Sequence, residues 1–208
     1  MQILSHRGYW KGNHEKNQEV AFHRSFKLAF GTETDLRDLA GELVISHDPP
    51  VGEEITVEKF FQLYREYDND LPLALNIKSD GLQTRLKVLL EKYSITNYFV
   101  FDMSLTDAWL WLNQGFRIFT RESEFEPTPY FQEQAVGIWI DCFLSDWVNE
   151  QIITKYLQHG KQVCLVSPEL HHREYLSFWK YLNTLPIIQY PNLMICTDYP
   201  EEAKIVFR

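Results

Sequence analysis

Cations are scarce in this chain: 20 Lys and Arg stand against 29 Asp and Glu in 208 residues, a net charge of -9 with histidine neutral. An acidic surface repels nucleic acid and anionic lipid over a Debye length of about 10 Å, so neither is the expected partner. A phosphate-bearing ligand would therefore need locally placed cations. Cysteine is also sparse. Cys142, Cys164 and Cys196 are widely spaced, odd in number and set among apolar residues, which reads as reduced core thiols of a cytoplasmic protein and excludes a disulfide framework or a zinc ligand pattern. No stretch approaches the ~20 apolar residues of a membrane span. Met1 leads directly into Ile3-Leu4-Ser5-His6 without a charged leader, so a soluble intracellular protein with no stable membrane insertion is expected. Internal repeats and low-complexity tracts are missing as well.

What is present is a hydrophobic fraction of 45%, ample for one packed core, and a single domain over residues 1–208 is the expectation. Short runs rich in β-branched and aromatic residues recur at Ile3-Ser5, Thr32-Arg37, Leu73-Ile77, Tyr98-Phe101, Arg117-Thr120, Gly137-Ile140, Gln162-Val166 and Leu193-Thr197. Amphipathic helical stretches lie between them, at Val20-Phe30, Val57-Tyr67, Leu82-Tyr93, Leu105-Asn113, Trp147-Gln158, Glu174-Leu182 and Glu201-Val206. Gly31, Gly115 and Gly160 stand where helices should end through positive φ.

Strand-helix alternation implies parallel strands, and eight such units favour a closed (β/α)8 TIM barrel, with an open doubly wound sheet as the competing arrangement. Leu39-Ala40-Gly41-Glu42 turns the chain into an additional strand, Leu43-Ser46, as a hairpin on the barrel rim. Two aperiodic segments, 9–18 and 121–134, each follow a strand end, where a barrel of this kind builds its active site.

Charged and imidazole residues gather at those same ends: His6 and Arg7, Glu33 and Asp35, His47 and Asp48, Asn76 and Lys78, Asp102, Asp141 and Asp198. Glu33 and Asp35 are two apart on a strand and so share a face, toward the barrel axis if Thr34 and Leu36 face the helices. Paired carboxylates repel unless a proton or a cation intervenes, and hard oxygen ligands suit Mg2+ or Ca2+. The bland alternative is a solvated edge strand. His6 and His47 each close an apolar run ahead of a turn, which suits a pair of proton carriers; Arg7 and Lys78 could meet a phosphate. His14, His23, His159, His171 and His172 read as surface or core residues. Trp10, Trp139 and Tyr199 are candidates for packing on an organic group, though aromatics more often serve the core.

In order and spacing, His6-Arg7-Gly8, Ala21-Phe22, Gly31-Thr32-Glu33-Thr34-Asp35 and Leu43-Val44-Ile45-Ser46-His47-Asp48-Pro49 resemble the N-terminal signature of the glycerophosphodiester phosphodiesterase family. Ile195-Cys196-Thr197-Asp198-Tyr199-Pro200 resembles its last strand and turn. The resemblance implies a (β/α)8 barrel related to phosphatidylinositol-specific phospholipase C; with only Pro50-Ile55 between His47-Asp48 and the next helix, a small barrel without a large inserted domain is expected. It implies metal-dependent hydrolysis of a phosphodiester, with His6 and His47 as acid-base pair, Glu33 and Asp35 as metal ligands, and Arg7 and Lys78 on the phosphate.

Two departures stand out. Glu15-Lys16-Asn17-Gln18 replaces the family's Pro-Glu-Asn-Thr, and Asn76 occupies the position of a third carboxylate ligand. An amide oxygen still ligates Mg2+ or Ca2+, with Mn2+ a further option, but with less charge; Asp102 is a candidate to supply the remainder, or else to cap the next helix. The expected substrate is a small glycerophosphodiester. A lipid-headgroup phosphodiesterase and a catalytically silent barrel that binds a phosphorylated metabolite are the alternatives.

Overall fold

Residues 1–67 and 70–207 are described in the computed structural model. The apolar runs form β1 (Gln2–His6), β2 (Gly31–Leu39), β3 (Glu42–Ile45), β4 (Leu73–Ile77), β5 (Tyr98–Phe101), β6 (Phe119–Glu122), β7 (Gly137–Ile140), β8 (Gln162–Val166) and β9 (Leu193–Thr197). The helices are α1 (Glu19–Lys27), α2 (Val57–Arg65), α3 (Gln83–Lys92), α4 (Leu105–Asn113), α5 (Glu150–Gln158), α6 (Leu176–Asn183) and α7 (Pro200–Val206).

Eight strands run in the order β5-β4-β2-β1-β9-β8-β7-β6, and their mutual pairings are parallel. A parallel bridge between Val100 and Ile118, with Val100 N donating to Arg117 O at 2.9 Å, joins the two ends of that order. The ring is the expected barrel. β3 stands off it, paired antiparallel to β2 through a turn in which Ala40 and Gly41 both take positive φ, as a two-residue hairpin requires. The β6-β7 connection carries no helix, so one of the seven connections between the eight barrel strands is a loop.

The strands' two-residue periodicity sorts the interior into layers. Phe99 stacks on Phe119 with centroids 3.6 Å apart, Phe101 stacks on Trp139 at 4.0 Å, and Cys164 and Cys196 fill the space beside them. Gly137 is required by that packing: a Cβ there would lie 2.4 Å from the Phe119 ring. One step further along several strands, the inward positions turn polar. Outside, α1 and α2 pack through Phe22, Phe26, Phe60 and Phe61, each ring contributing roughly 1.5–3 kcal/mol by burial. Leu36 belongs to this outer cluster, which sends Glu33 and Asp35 inward.

Some boundaries differ from the sequence expectation for local reasons. β6 begins at Phe119 rather than Arg117 and extends to Glu122, bringing Arg121 into the strand. α5 starts late because the Asn149 side chain accepts from Ile152 N and fixes the cap. At Gly115 and Gly160 φ is positive as expected, but at the first helix end Ala29 adopts it. Gly31 serves close packing instead: a Cβ would meet Pro72 O at 2.6 Å and Leu4 at 2.7 Å.

Candidate active site

At the C-terminal mouth of the barrel, one cavity of about 320 Å3 is lined by His6, Arg7, Glu33, His47, Asn76 and Lys78 on one side and by Arg121, Asp141, Phe143 and His171 on the other. The proton carriers, phosphate contacts and metal ligands expected from the sequence, other than Asp35, all line it. Asp35 lies just beneath, 1% exposed, and register pairs it with Asn76 on β4.

His6 ends β1. Its Nδ1 lies 2.7 Å from Asp198 Oδ1, and a carboxylate can only accept, so Nδ1 carries the hydrogen and Nε2 is left free to exchange a proton. That Nε2 is 3.9 Å from Glu33 Oε2. Asp198 is itself fixed, since its backbone N–H donates to Glu169 Oε1 at 3.1 Å. Arg7 then turns through a left-handed φ of 56°, which lets its backbone N–H donate to Glu33 O at 2.9 Å while its side chain reaches Asp35. Asn17 and Asp102, at φ 60° and 72°, are also left-handed, and such conformations concentrate where a site must hold side chains in place.

Asp35 is the hub of the cationic wall. Its Oδ2 accepts from Asn17 Nδ2 at 2.9 Å and lies 3.1 Å from Arg7 Nε, while Lys78 Nζ is 3.5 Å from Oδ1. Asn17 also accepts from Thr34 Oγ1, so the asparagine kept from the family pattern anchors the first loop to β2. Lys16, the departure beside it, rests its ammonium 4.3 Å from the Trp10 ring. Glu33 has a different environment. Burial, and next the neighbouring Asp35, push its carboxyl up to about 7.

Glu33, Asp35 and Asn76 offer oxygen donors of the kind a hard divalent cation takes, although no three His, Cys, Asp or Glu side chains are gathered tightly enough to hold a metal ion among the described residues. Among the described residues, Asp35 Oδ1 and Asn76 Oδ1 are buried acceptors without a hydrogen-bond partner, and Glu33 is a carboxylate whose ionisation a cation would relieve. Stability without metal follows from the same shift. A carboxyl raised from 4.5 to about 7 in the folded state keeps its proton longer than in the unfolded chain, so its burial costs stability as pH rises through that window. Chelated protein is expected to melt at lower temperature at pH 8 than at pH 5.5, with added Mg2+ or Ca2+ recovering more at pH 8. Calorimetry showing the opposite order would remove this view of Glu33.

His47 is the least constrained of the expected residues. Its side chain is 45% exposed and, among the described residues, its Nδ1 meets only Asp48, 88% exposed, at 2.9 Å. Its backbone is better held, with both Arg37 Nε and Nη2 donating to His47 O. Asp102 does not cap α4, which Ser104 caps by accepting from Asp107 N; it lines the cavity and pairs with Arg121 and, at 3.8 Å, Lys78. Of the aromatic candidates, Trp139 lines the cavity, Trp10 donates its indole N–H to His6 O at 3.1 Å, and Tyr199 packs on Tyr175.

His171 does not stand out in the sequence. It closes a short 3-10 turn, Pro168–His171, after β8, and its Nε2 lies 3.0 Å from Asp141 Oδ1. Asp141 and Arg121 are joined at 3.1 Å. Their shared inward position at strand ends is the available signal, visible once Arg121 is assigned to β6.

No protein-family model and no curated protein matches the chain. Solved structures do. A glycerophosphodiester phosphodiesterase from Agrobacterium tumefaciens str. C58 aligns over 99% of this chain and 98% of its own, with a TM-score of 0.76 and 16% identity. A Ca2+-dependent phosphatidylinositol-specific phospholipase C from Streptomyces antibioticus aligns over 100% and 96%, with a TM-score of 0.62 and 10% identity. The likeness is one of fold. It spans the whole chain in both cases, which agrees with a small barrel without a large inserted domain. No helix among the described residues is long and apolar enough to cross a membrane.

Proposed function

We propose that the chain is a metal-dependent phosphoric diester hydrolase of the glycerophosphodiester phosphodiesterase type, converting a small glycerophosphodiester to an alcohol and a phosphomonoester. The observation that carries the reading is the juxtaposition, around one cavity, of an oriented imidazole (His6 on Asp198), two cations (Arg7 and Lys78) and the oxygen set of Glu33, Asp35 and Asn76. Each part has a task in phosphoryl transfer. The two solved structures of like fold carry phosphodiesterase and phospholipase C names, which supports the reaction class.

Arg7 and Lys78 hold the phosphate and stabilise its developing charge. His6 Nε2 accepts the proton of the attacking hydroxyl, and His47, by the family resemblance, completes the acid-base pair. A divalent cation, Mg2+, Ca2+ or Mn2+, held by Glu33, Asp35 and Asn76 would supply Lewis-acid charge to a phosphate oxygen. The buried free thiols of Cys142, Cys164 and Cys196 suit a reducing compartment, and we place the protein in the cytoplasm.

A lipid-headgroup substrate has one observation in its favour: Phe125 and Leu144 are 66% and 68% exposed, and both adjoin Phe143 at the mouth. One panel separates the readings. Glycerophosphodiesters, bis-p-nitrophenyl phosphate and phospholipid vesicles are each assayed after chelation and again with Mg2+, Mn2+ or Ca2+. Turnover of the soluble diesters with a restored cation is expected. Turnover of vesicles alone would transfer the assignment to lipid, and ligand binding without turnover would make the barrel catalytically silent.

A further inference from the structure

We propose that His171, held by Asp141, takes the place of His47 as proton donor to the departing alkoxide for alcohols seated against the far wall of the cavity. This rests on the hydrolase reading and extends it to a residue outside the family signature. The signature residues occupy one side of the mouth, on β1, on β2 and its hairpin, and on β4. Asp141 follows β7, three places from β1 around the ring, and His171 reaches it from the loop after β8.

The geometry resembles that of His6 more than that of His47. Asp141 is 3% exposed and its second oxygen is engaged by Arg121 Nε at 3.1 Å, so the carboxylate stays an acceptor and His171 Nε2 carries the hydrogen. Nδ1 is then the atom that exchanges a proton, and no partner for it occurs among the described residues. The Phe143 ring, with its centroid 4.5 Å from that of His171, fixes the imidazole plane, and Pro168 begins the turn that presents it. By contrast, Asp48, the carboxylate behind His47, stands in solvent.

In-line displacement places the attacking and leaving oxygens on opposite sides of phosphorus, so base and acid are best placed on opposite walls. The attacking hydroxyl gives its proton to His6 Nε2 and forms the new P–O bond. As the old P–O bond breaks, its electron pair goes to the alkoxide oxygen, which takes the proton from Nδ1 of the His171 imidazolium. The ring is left neutral, bonded to Asp141, and recovers a proton from solvent.

A leaving group that is stable as an anion needs no such donor, and this is what the test exploits. Wild type, His171→Asn, His171→Gln and His47→Asn are compared on a glycerophosphodiester, whose leaving group is an alkoxide, and on bis-p-nitrophenyl phosphate, whose leaving group is a phenolate. Both His171 variants are expected to lose about 10^2-fold in kcat on the alkyl diester, at least ten times their loss on the nitrophenyl diester. Exogenous imidazole should recover part of the alkyl activity in His171→Gly, which a packing role would not predict. Equal losses on the two substrates, no loss on either, or leaving-group dependence confined to His47→Asn would each overturn the assignment while leaving the hydrolase reading in place. Absence of diester turnover in wild type would remove both.

Discussion

His6→Ala is expected to lower kcat/KM on a glycerophosphodiester by about 10^2 to 10^4, the range for loss of a general acid-base group. The size of the effect follows from how completely the ring is pre-set. Asp198 fixes the Nδ1 tautomer at 2.7 Å, Glu169 fixes the Asp198 backbone, and Nε2 faces the carboxylate pocket at Glu33. Asp198→Asn should reproduce part of the loss, because an amide can present its N–H to Nδ1 and select the wrong tautomer. The thermal midpoint of His6→Ala should fall by several degrees, the cost of losing one part-buried charge-assisted hydrogen bond to Asp198, and the protein should stay folded at the assay temperature. Wild-type rates in His6→Ala on every diester tested would remove the mechanism, whatever His47 contributes.

Much of this arrangement is legible in the amino-acid order alone, for a physical reason. A barrel strand alternates inward and outward, so Thr32-Glu33-Thr34-Asp35-Leu36 declares its own facing as soon as Leu36 is assigned to the helix side. The hairpin is readable from Ala40-Gly41, where two consecutive positive φ values are needed. The far wall is harder to see. Arg121 falls outside the expected strand because Arg117-Ile118 has the stronger β pattern, yet Ile118 makes a bridge to β5 and accepts from Val136 N, and the ladder to β7 begins at Phe119. His171 lies in a 3-10 turn without periodicity, and only tertiary packing brings it to Asp141, 30 positions earlier. The metal pocket divides in the same way: its ligand candidates follow from strand parity, whereas the contrast between an Asp35 paired with two cations and a Glu33 that accepts from the Arg7 backbone N–H at 3.2 Å depends on Asn17, Arg7 and Lys78 arriving from three separate segments.

That contrast yields opposite stability effects for two substitutions that should both abolish activity. Asp35→Asn replaces a carboxylate that serves Asn17, Arg7 and Lys78 by a neutral amide, one end of which is a donor facing donors. The side chains of Arg7 and Lys78, 21% and 20% exposed, would lose their shared counter-charge. Breaking a buried pair in this way costs roughly 3 kcal/mol, or about 10 °C in a domain of this size. Glu33→Gln removes a carboxyl that burial and Asp35 already resist ionising, and so should leave chelated protein at pH 8 equal to or more stable than wild type. Both variants should lose divalent-dependent turnover by roughly 10^3-fold or more if the two oxygens share one cation, the scale for loss of Lewis-acid charge at the phosphate. Calorimetry on chelated samples, paired with rates across a metal titration, decides the matter. Equal destabilisation by both substitutions would mean that Glu33 is held by bonds as good as those of Asp35, and the pocket would then have no reason to call for a cation.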